Sequence, residues 1–228
     1  MAATSTPRVR KPPRAQAFTR KLLAWWARAA RDLPWRRTRD PYRVLVSEFM
    51  LQQTQVSRVA EYYPRFLERF PDLETLASAP PRAVREAWDG LGYYARASNL
   101  HALARVVSRD HDGTLPDKPD ELIKLPGVGR YTAGAVATFA YEKPVPAVDT
   151  NVARVLRRAF GNVERGMRNA ELWRLASMLV PKNGKRAWKF NQAIMELGAL
   201  ICVARKPRCP ECPVRPVCKT GRASRVRE

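Results

Sequence analysis

Residues 125–135 read Leu125-Pro126-Gly127-Val128-Gly129-Arg130-Tyr131-Thr132-Ala133-Gly134-Ala135, and the fold turns on them. A helical stretch closes near Lys124, two glycines permit a tight turn, and a helix rich in small residues opens beyond it. First-turn amides of that second helix point outward at the positive end of its dipole, which makes an anion site suited to one phosphate. A plain glycine turn between two core helices fits the same spacing, so one G-x-G pair leaves both readings open.

Outward from this hairpin, the apolar spacing is helical throughout. The run from Ala17 to Arg31 is closed by Pro34 and Trp35. From Pro41 the longest stretch places Leu45, Phe49, Val56, Val59, Tyr63 and Phe66 on one face, with a break expected at Pro64 and an end at Pro71. Further helices are expected over about Leu73–Ala79, Pro81–Trp88, Ala95–Arg109, Pro119–Lys124, Tyr131–Ala140, Asn151–Ala159, Ala170–Leu179 and Trp188–Leu200. No period-two strand and no tandem repeat is visible, so the fold class is all-α. The order suggests a disordered basic arm over 1–16, one subdomain from 17–70 with 159–218, a second over 71–158 carrying the hairpin, and a basic tail over 219–228.

The 228 residues hold 42 Lys and Arg against 21 Asp and Glu, a net charge of +21 that favours a polyanion over a neutral partner. A solvated basic surface is the blander account of the same numbers. No stretch is apolar enough to cross a bilayer, since even Leu22–Ala30 is interrupted by Arg28. A soluble cytoplasmic protein without a membrane partner is expected. The first 31 residues lack any acid, as transit peptides do, but Pro7, Pro12 and Pro13 would break an amphipathic helix. Organelle targeting is therefore the lesser reading.

Cys202, Cys209, Cys212 and Cys218 lie within seventeen residues as C-x6-C-x2-C-x5-C, with no cysteine before them. Such clustering argues for one shared metal centre. Disulfides are disfavoured in a basic chain that reads as intracellular. Four thiolates suit zinc and an iron–sulfur cluster about equally, and spacing alone leaves the metal open. Either would fix the loop carrying Arg205, Lys206 and Arg208.

LPGVGRYTAGAV, then VDTNVARVL, then the four cysteines together resemble the helix-hairpin-helix DNA glycosylases related to endonuclease III, over about Leu33–Cys218. Within that superfamily SEFMLQQTQV at 47–56 and GLGYYARASNLH at 90–101 are similar to the adenine glycosylases of the MutY kind. The resemblance implies two helical subdomains with a DNA-binding cleft between them, a flipped base in that cleft, and a [4Fe–4S] cluster on the four cysteines. It also implies a monomer acting on mismatched or damaged duplex DNA, associated with the nucleoid. Extrusion suits the chemistry, because a glycosidic bond inside stacked duplex is out of reach and a mispaired base unstacks cheaply.

Residue by residue, Glu48 matches the catalytic acid; on its apolar stretch it reads otherwise as a surface glutamate paired with an arginine. Asp149 matches the carboxylate that stabilises the oxocarbenium-like sugar, and reads otherwise as a helix N-cap. Tyr131 stands where bifunctional relatives carry an attacking lysine, which implies hydrolysis without Schiff-base lyase chemistry. In some adenine glycosylases that tyrosine bonds the aspartate, and Asn151 matches another active-site polar group. Gln53 and Tyr93 match residues that enter the duplex, and Gly127, Gly129, Arg130 and Thr132 match the hairpin's DNA contacts. Trp35, Arg36 and Glu196 align with the base pocket.

Two departures bear on specificity. Adenine glycosylases of this kind continue past the cysteines into a domain that helps recognise oxidised guanine, whereas ten residues follow Cys218 here, and Thr150 replaces a glycine common in them. A thymine or uracil glycosylase acting on G·T or G·U mismatches is the alternative enzyme, and a non-catalytic iron–sulfur DNA-binding module is the alternative from another class.

Overall fold

The structure, a computed structural model, describes residues 12–161 and 167–223. Among them no strand occurs. The helices are α1 (Ala15–Ala29), α2 (Pro41–Leu51), α3 (Val56–Arg69), α4 (Leu73–Ser78), α5 (Pro81–Ala87), α6 (Ala95–Asp110), α7 (Pro119–Leu122), α8 (Arg130–Phe139), α9 (Thr150–Phe160), α10 (Asn169–Leu179), α11 (Gly184–Leu200) and α12 (Lys219–Ala223). The all-α expectation holds, and no described helix is long and apolar enough to cross a membrane.

The long helix expected from Pro41 is two helices, and its break lies elsewhere. Pro64 sits inside α3, which continues because Val59, Tyr63 and Phe66 bury one continuous face on either side of it. The chain instead turns at 52–55, where Gln53 adopts φ +56°. Capping supports the starts expected at Pro41 and Leu73: Asp40 accepts from the Arg43 amide at 2.8 Å ahead of α2, and Asp72 from the Thr75 amide at 2.8 Å ahead of α4, whereas no side chain caps the new start at Val56.

The chain divides into two compact units. A hairpin unit comprises residues 31–147 and 182–188; a cysteine unit comprises those up to 30, 148–181 and those from 189 on. This differs from the expected grouping of 17–70 with 159–218. Residues 31–70 join the hairpin unit because α2 packs on α3, α6 and α8. Helix α9 joins the cysteine unit because it packs on α10 and α12. Sequence proximity to the first helix is thus a poorer guide than the face each helix has to bury.

In the hairpin unit, Phe66 sets its ring edge-on to Trp88 at 5.7 Å, and Trp88 is fully buried. In the cysteine unit, Phe18 and Phe160 meet edge-on at 5.1 Å, tying α1 to the end of α9. Of the basic arm expected over 1–16, residues up to Lys11 lie outside the described part, and α1 already begins at Ala15. The expected tail over 219–228 is helical as α12 up to Ala223, and its last five residues lie outside the described part.

Candidate functional site

The hairpin turn takes its shape from Gly127, at φ +72°. A Cβ there would stand 2.6 Å from Asn99 Cβ and 3.0 Å from Phe49, so the turn lies directly on α6 and α2. Gly129 differs: it is the N-cap of α8 with φ −90°, and a Cβ would meet nothing within 4 Å. The two glycines that look alike in the sequence therefore have separate reasons, one steric and internal, the other compatible with close approach from outside. No side chain caps α8, whose first amides have no acceptor within the helix. Arg130 is exposed, whereas Thr132 is only 3% exposed, so a DNA contact from residue 132 is left to its backbone.

Helix α2 packs on α8, and this contact brings Glu48 to Tyr131. Glu48 is only 4% exposed, between Ser47 and Phe49 on a wholly buried run, and the Tyr131 hydroxyl donates to its Oε2 at 2.7 Å. The resemblance implies a bond from this hydroxyl to the aspartate, and the structure gives it the glutamate as one partner. Trp35 is buried in the short turn Pro34–Arg36 with its ring edge-on to Tyr63 at 5.7 Å, and Arg36 donates to the Arg31 carbonyl at 3.0 Å.

Gln53 and Tyr93 both hold positive φ, +56° and +46°, and the Tyr93 side is open to solvent at 62% exposure. Between their backbones lies Arg96, only 7% exposed, whose guanidinium donates to carbonyls of both segments. Sequence reading missed it. The available signal was its register: Arg96, Leu100, Leu103 and Val107 share the buried stripe of α6, and a charge on that stripe needs partners.

In the cysteine unit, Asp149 caps α9. Its Oδ1 accepts from the Val152 amide at 2.6 Å and its Oδ2 from the Asn151 side-chain amide at 2.8 Å. Burial pushes this carboxyl above the usual aspartate range, against the downward pull of those two donors and of the Arg154 charge. The expected N-cap is present, and Asn151 serves it directly. Glu196 on α11 is 1% exposed within the same unit.

Asn151 also accepts from Arg154 Nη2 at 2.7 Å, and Arg154 donates onward to the carbonyls of Gly198 and Cys202, each at 2.7 Å. Arg158, one turn further, reaches the Val203 carbonyl at 2.7 Å, the Ala204 carbonyl at 2.9 Å and the Cys202 sulfur at 3.4 Å. These two arginines were not anticipated either. They hold the start of the cysteine loop to the helix that Asp149 caps.

None of the four cysteines forms a disulfide; all are of intermediate exposure and line one cavity of about 30 Å³, walled by Val155, Leu197, Ile201 and Val214. Burial pushes the Cys212 thiol up to about 11 and raises Cys218 as well. The Gly221 amide donates to the Cys218 sulfur at 3.4 Å. Among the described residues, no three His, Cys, Asp or Glu side chains are gathered as the ligands of a single ion.

The profile of the HhH-GPD superfamily of base excision DNA repair proteins matches residues 46–178. Adenine DNA glycosylase of Mycolicibacterium smegmatis is 47% identical over 196 residues, which are 85% of this chain and 66% of the relative. The chain thus spans just under two thirds of that protein's length. Among solved structures, a thermostable thymine-DNA glycosylase superposes with a TM-score of 0.86 at 34% identity, covering 92% of this chain and 97% of the other. Endonuclease III trapped as a covalent DNA intermediate superposes with a TM-score of 0.80 at 25% identity, covering 95% and 99%.

Proposed function

The chain belongs to the HhH-GPD superfamily of base excision DNA repair proteins, and we propose that it hydrolyses the N-glycosidic bond of a mispaired adenine extruded from duplex DNA. The observation that carries this reading is Glu48, a buried acid in an apolar helix wall whose hydroxyl partner, Tyr131, belongs to the hairpin helix. Protonating a purine turns it into a neutral leaving group, which is the work of a positioned carboxylic acid. The 47% identity to a relative named adenine DNA glycosylase supports adenine as that purine.

As the bond lengthens, positive charge grows on the sugar. Asp149 supplies a fixed negative charge for it, held in place by the Val152 amide and the Asn151 side chain. Water then completes the hydrolysis. Tyr131 has no amine with which to form a Schiff base, so strand cleavage by a lysine route is absent from the proposal. The first turn of α8, uncapped by any side chain, would hold one DNA phosphate without reading sequence. The protein is taken to act as a monomer.

For the four cysteines the reading is a [4Fe–4S] cluster. They line one cavity, and the likeness of the chain to endonuclease III supports the cluster over a single tetrahedral zinc. N–H donors from Arg158 and Gly221 on two of the sulfurs suit thiolate ligands of either kind. When bound, the cluster would fix the loop between Cys202 and Cys209 and its basic side chains.

The test is excision by purified protein from duplexes bearing A opposite 8-oxoguanine, A opposite G, and T opposite G, developed with and without alkali. Adenine release seen only after alkali is expected. Excision of thymine alone would transfer the assignment to a thymine glycosylase, and breaks without alkali would overturn the argument from Tyr131. No excision from any duplex would leave a DNA-binding module.

A further inference from the structure

We infer that Arg96 is a positioning residue that sets the backbone of both duplex-entering candidates, Gln53 and Tyr93, at once. The inference rests on the glycosylase reading above, which assigns those two residues to the duplex. From Nη1 the guanidinium donates to the carbonyls of Phe49 (3.0 Å), Met50 (2.8 Å) and Gln52. From Nη2 it donates to those of Leu91 (3.1 Å) and Gly92 (2.9 Å), and Nε lies 3.4 Å from the Tyr93 carbonyl. One buried side chain thereby joins the end of α2 to the loop ahead of α6.

Which carbonyls are held matters more than how many. The Gln52 carbonyl belongs to the peptide plane before Gln53, and the Gly92 carbonyl to the plane before Tyr93, so holding them helps to fix the φ angle of the following residue. Both following residues are non-glycine and both are left-handed, at +56° and +46°. Each such residue is strained and persists only where its surroundings force it. Arg96 is a common element of those surroundings.

The rest of the guanidinium environment supports the same role. Its carbon lies 5.4 Å from the centre of the buried Trp88 ring and 5.6 Å from that of the exposed Tyr93 ring. Tyr93 is therefore steadied at its ring as well as its backbone. At the end of α2, carbonyls without a partner inside the helix receive a cation, the favourable sign for that terminus. Only a planar fork with several donors reaches both segments together, and a lysine ammonium lacks that shape.

The experiment is a double-mutant cycle read in two ways. Wild type, Arg96→Lys, the pair Gln53→Ala with Tyr93→Ala, and the combination are given a duplex with an A·G mispair and 2-aminopurine beside the adenine. The fluorescence gain on binding reports unstacking, and single-turnover excision is followed in the same samples. Arg96→Lys is expected to lower both about ten-fold in the wild-type background and by less than about two-fold where the two entering side chains are gone, the non-additivity of residues acting as a unit.

A general packing defect would lower both backgrounds equally, and that additive result overturns the inference. Arg96→Gln, with a neutral side chain that is cheaper to bury, replaces Arg96→Lys if the lysine variant fails to fold by circular dichroism. If neither folds, Arg96 is a stability residue and the inference is also overturned. Wild type that neither unstacks nor excises brings down the glycosylase reading itself, and this inference with it.

Discussion

Glu48 and Asp149 are both carboxylates held largely away from water, yet the regions around them hold them by opposite means. Glu48 lies in mid-helix among apolar neighbours, and a neutral hydroxyl donates to it. Asp149 stands at a helix N-terminus, where a backbone amide, a side-chain amide and the helix dipole all favour negative charge. In the proposed reaction Glu48 gives a proton and Asp149 stays an anion, as two carboxylates divide the work of glycoside hydrolysis, with the donors on Asp149 opposing the burial that raises its pKa. The contrast extends to their supports, since Tyr131 comes from a distant helix while Asn151 and Arg154 come from the helix that Asp149 itself caps.

The strongest way to break this comparison is Asp149→Asn. Single-turnover excision is expected to fall about a thousand-fold, the upper range for removing one preorganised electrostatic partner. Stability should move the other way. Because burial raises this carboxyl's pKa above its unfolded value, the native state binds the proton more tightly than the unfolded chain does. Its contribution is fully present at pH below the unfolded value and is lost as pH rises through the folded one. At neutral pH the asparagine variant should therefore melt no lower than wild type, and thermal melts at pH 5 and 7 check the sign. Wild-type activity, if it needs the anion, falls on acidification before an ordinary aspartate would titrate.

Glu48→Gln tests the other half. The amide keeps an acceptor for Tyr131 but has no proton to give, and excision is expected to drop about a hundred-fold, the lower range for general acid catalysis. Equal losses from both variants with identical pH profiles would erase the distinction between acid and anion.

The glycine pair sharpens a second contrast, within the hairpin. Gly127→Ala places a Cβ 2.6 Å from Asn99 at φ +72°, and should cost about 2 kcal/mol of stability in urea melts. Gly129→Ala meets open space and should cost at most about 1 kcal/mol, from the weaker cap, while weakening duplex binding measured by anisotropy. Equal destabilisation by both would mean that the second glycine also serves packing. The smallest expected effect is that of Tyr131→Phe. Losing one neutral hydrogen bond to Glu48, worth about 1 kcal/mol, should slow excision about five-fold and leave the alkali requirement unchanged.

What the sequence by itself determined is local. The helices follow from 3.6-residue spacing with Pro and Gly stops, and the hairpin from two glycines just ahead of a helix rich in small residues. The Asp149 cap follows from an acid immediately before a periodic run, and the cysteine cavity from four thiols within seventeen residues. Tertiary structure decided the rest. Nothing near Pro64 says that α3 runs through it and that the chain turns at Gln53 instead, because the turn lies on carbonyls held by Arg96 more than 40 residues later. The Glu48–Tyr131 bond spans 83 residues, and Arg154 reaches Cys202 across 48. Periodicity records which face of a helix is buried, but it carries no record of which polar group waits on the other side. A buried guanidinium or carboxylate takes its partner from whichever helix the packing brings, and only the folded chain makes that choice.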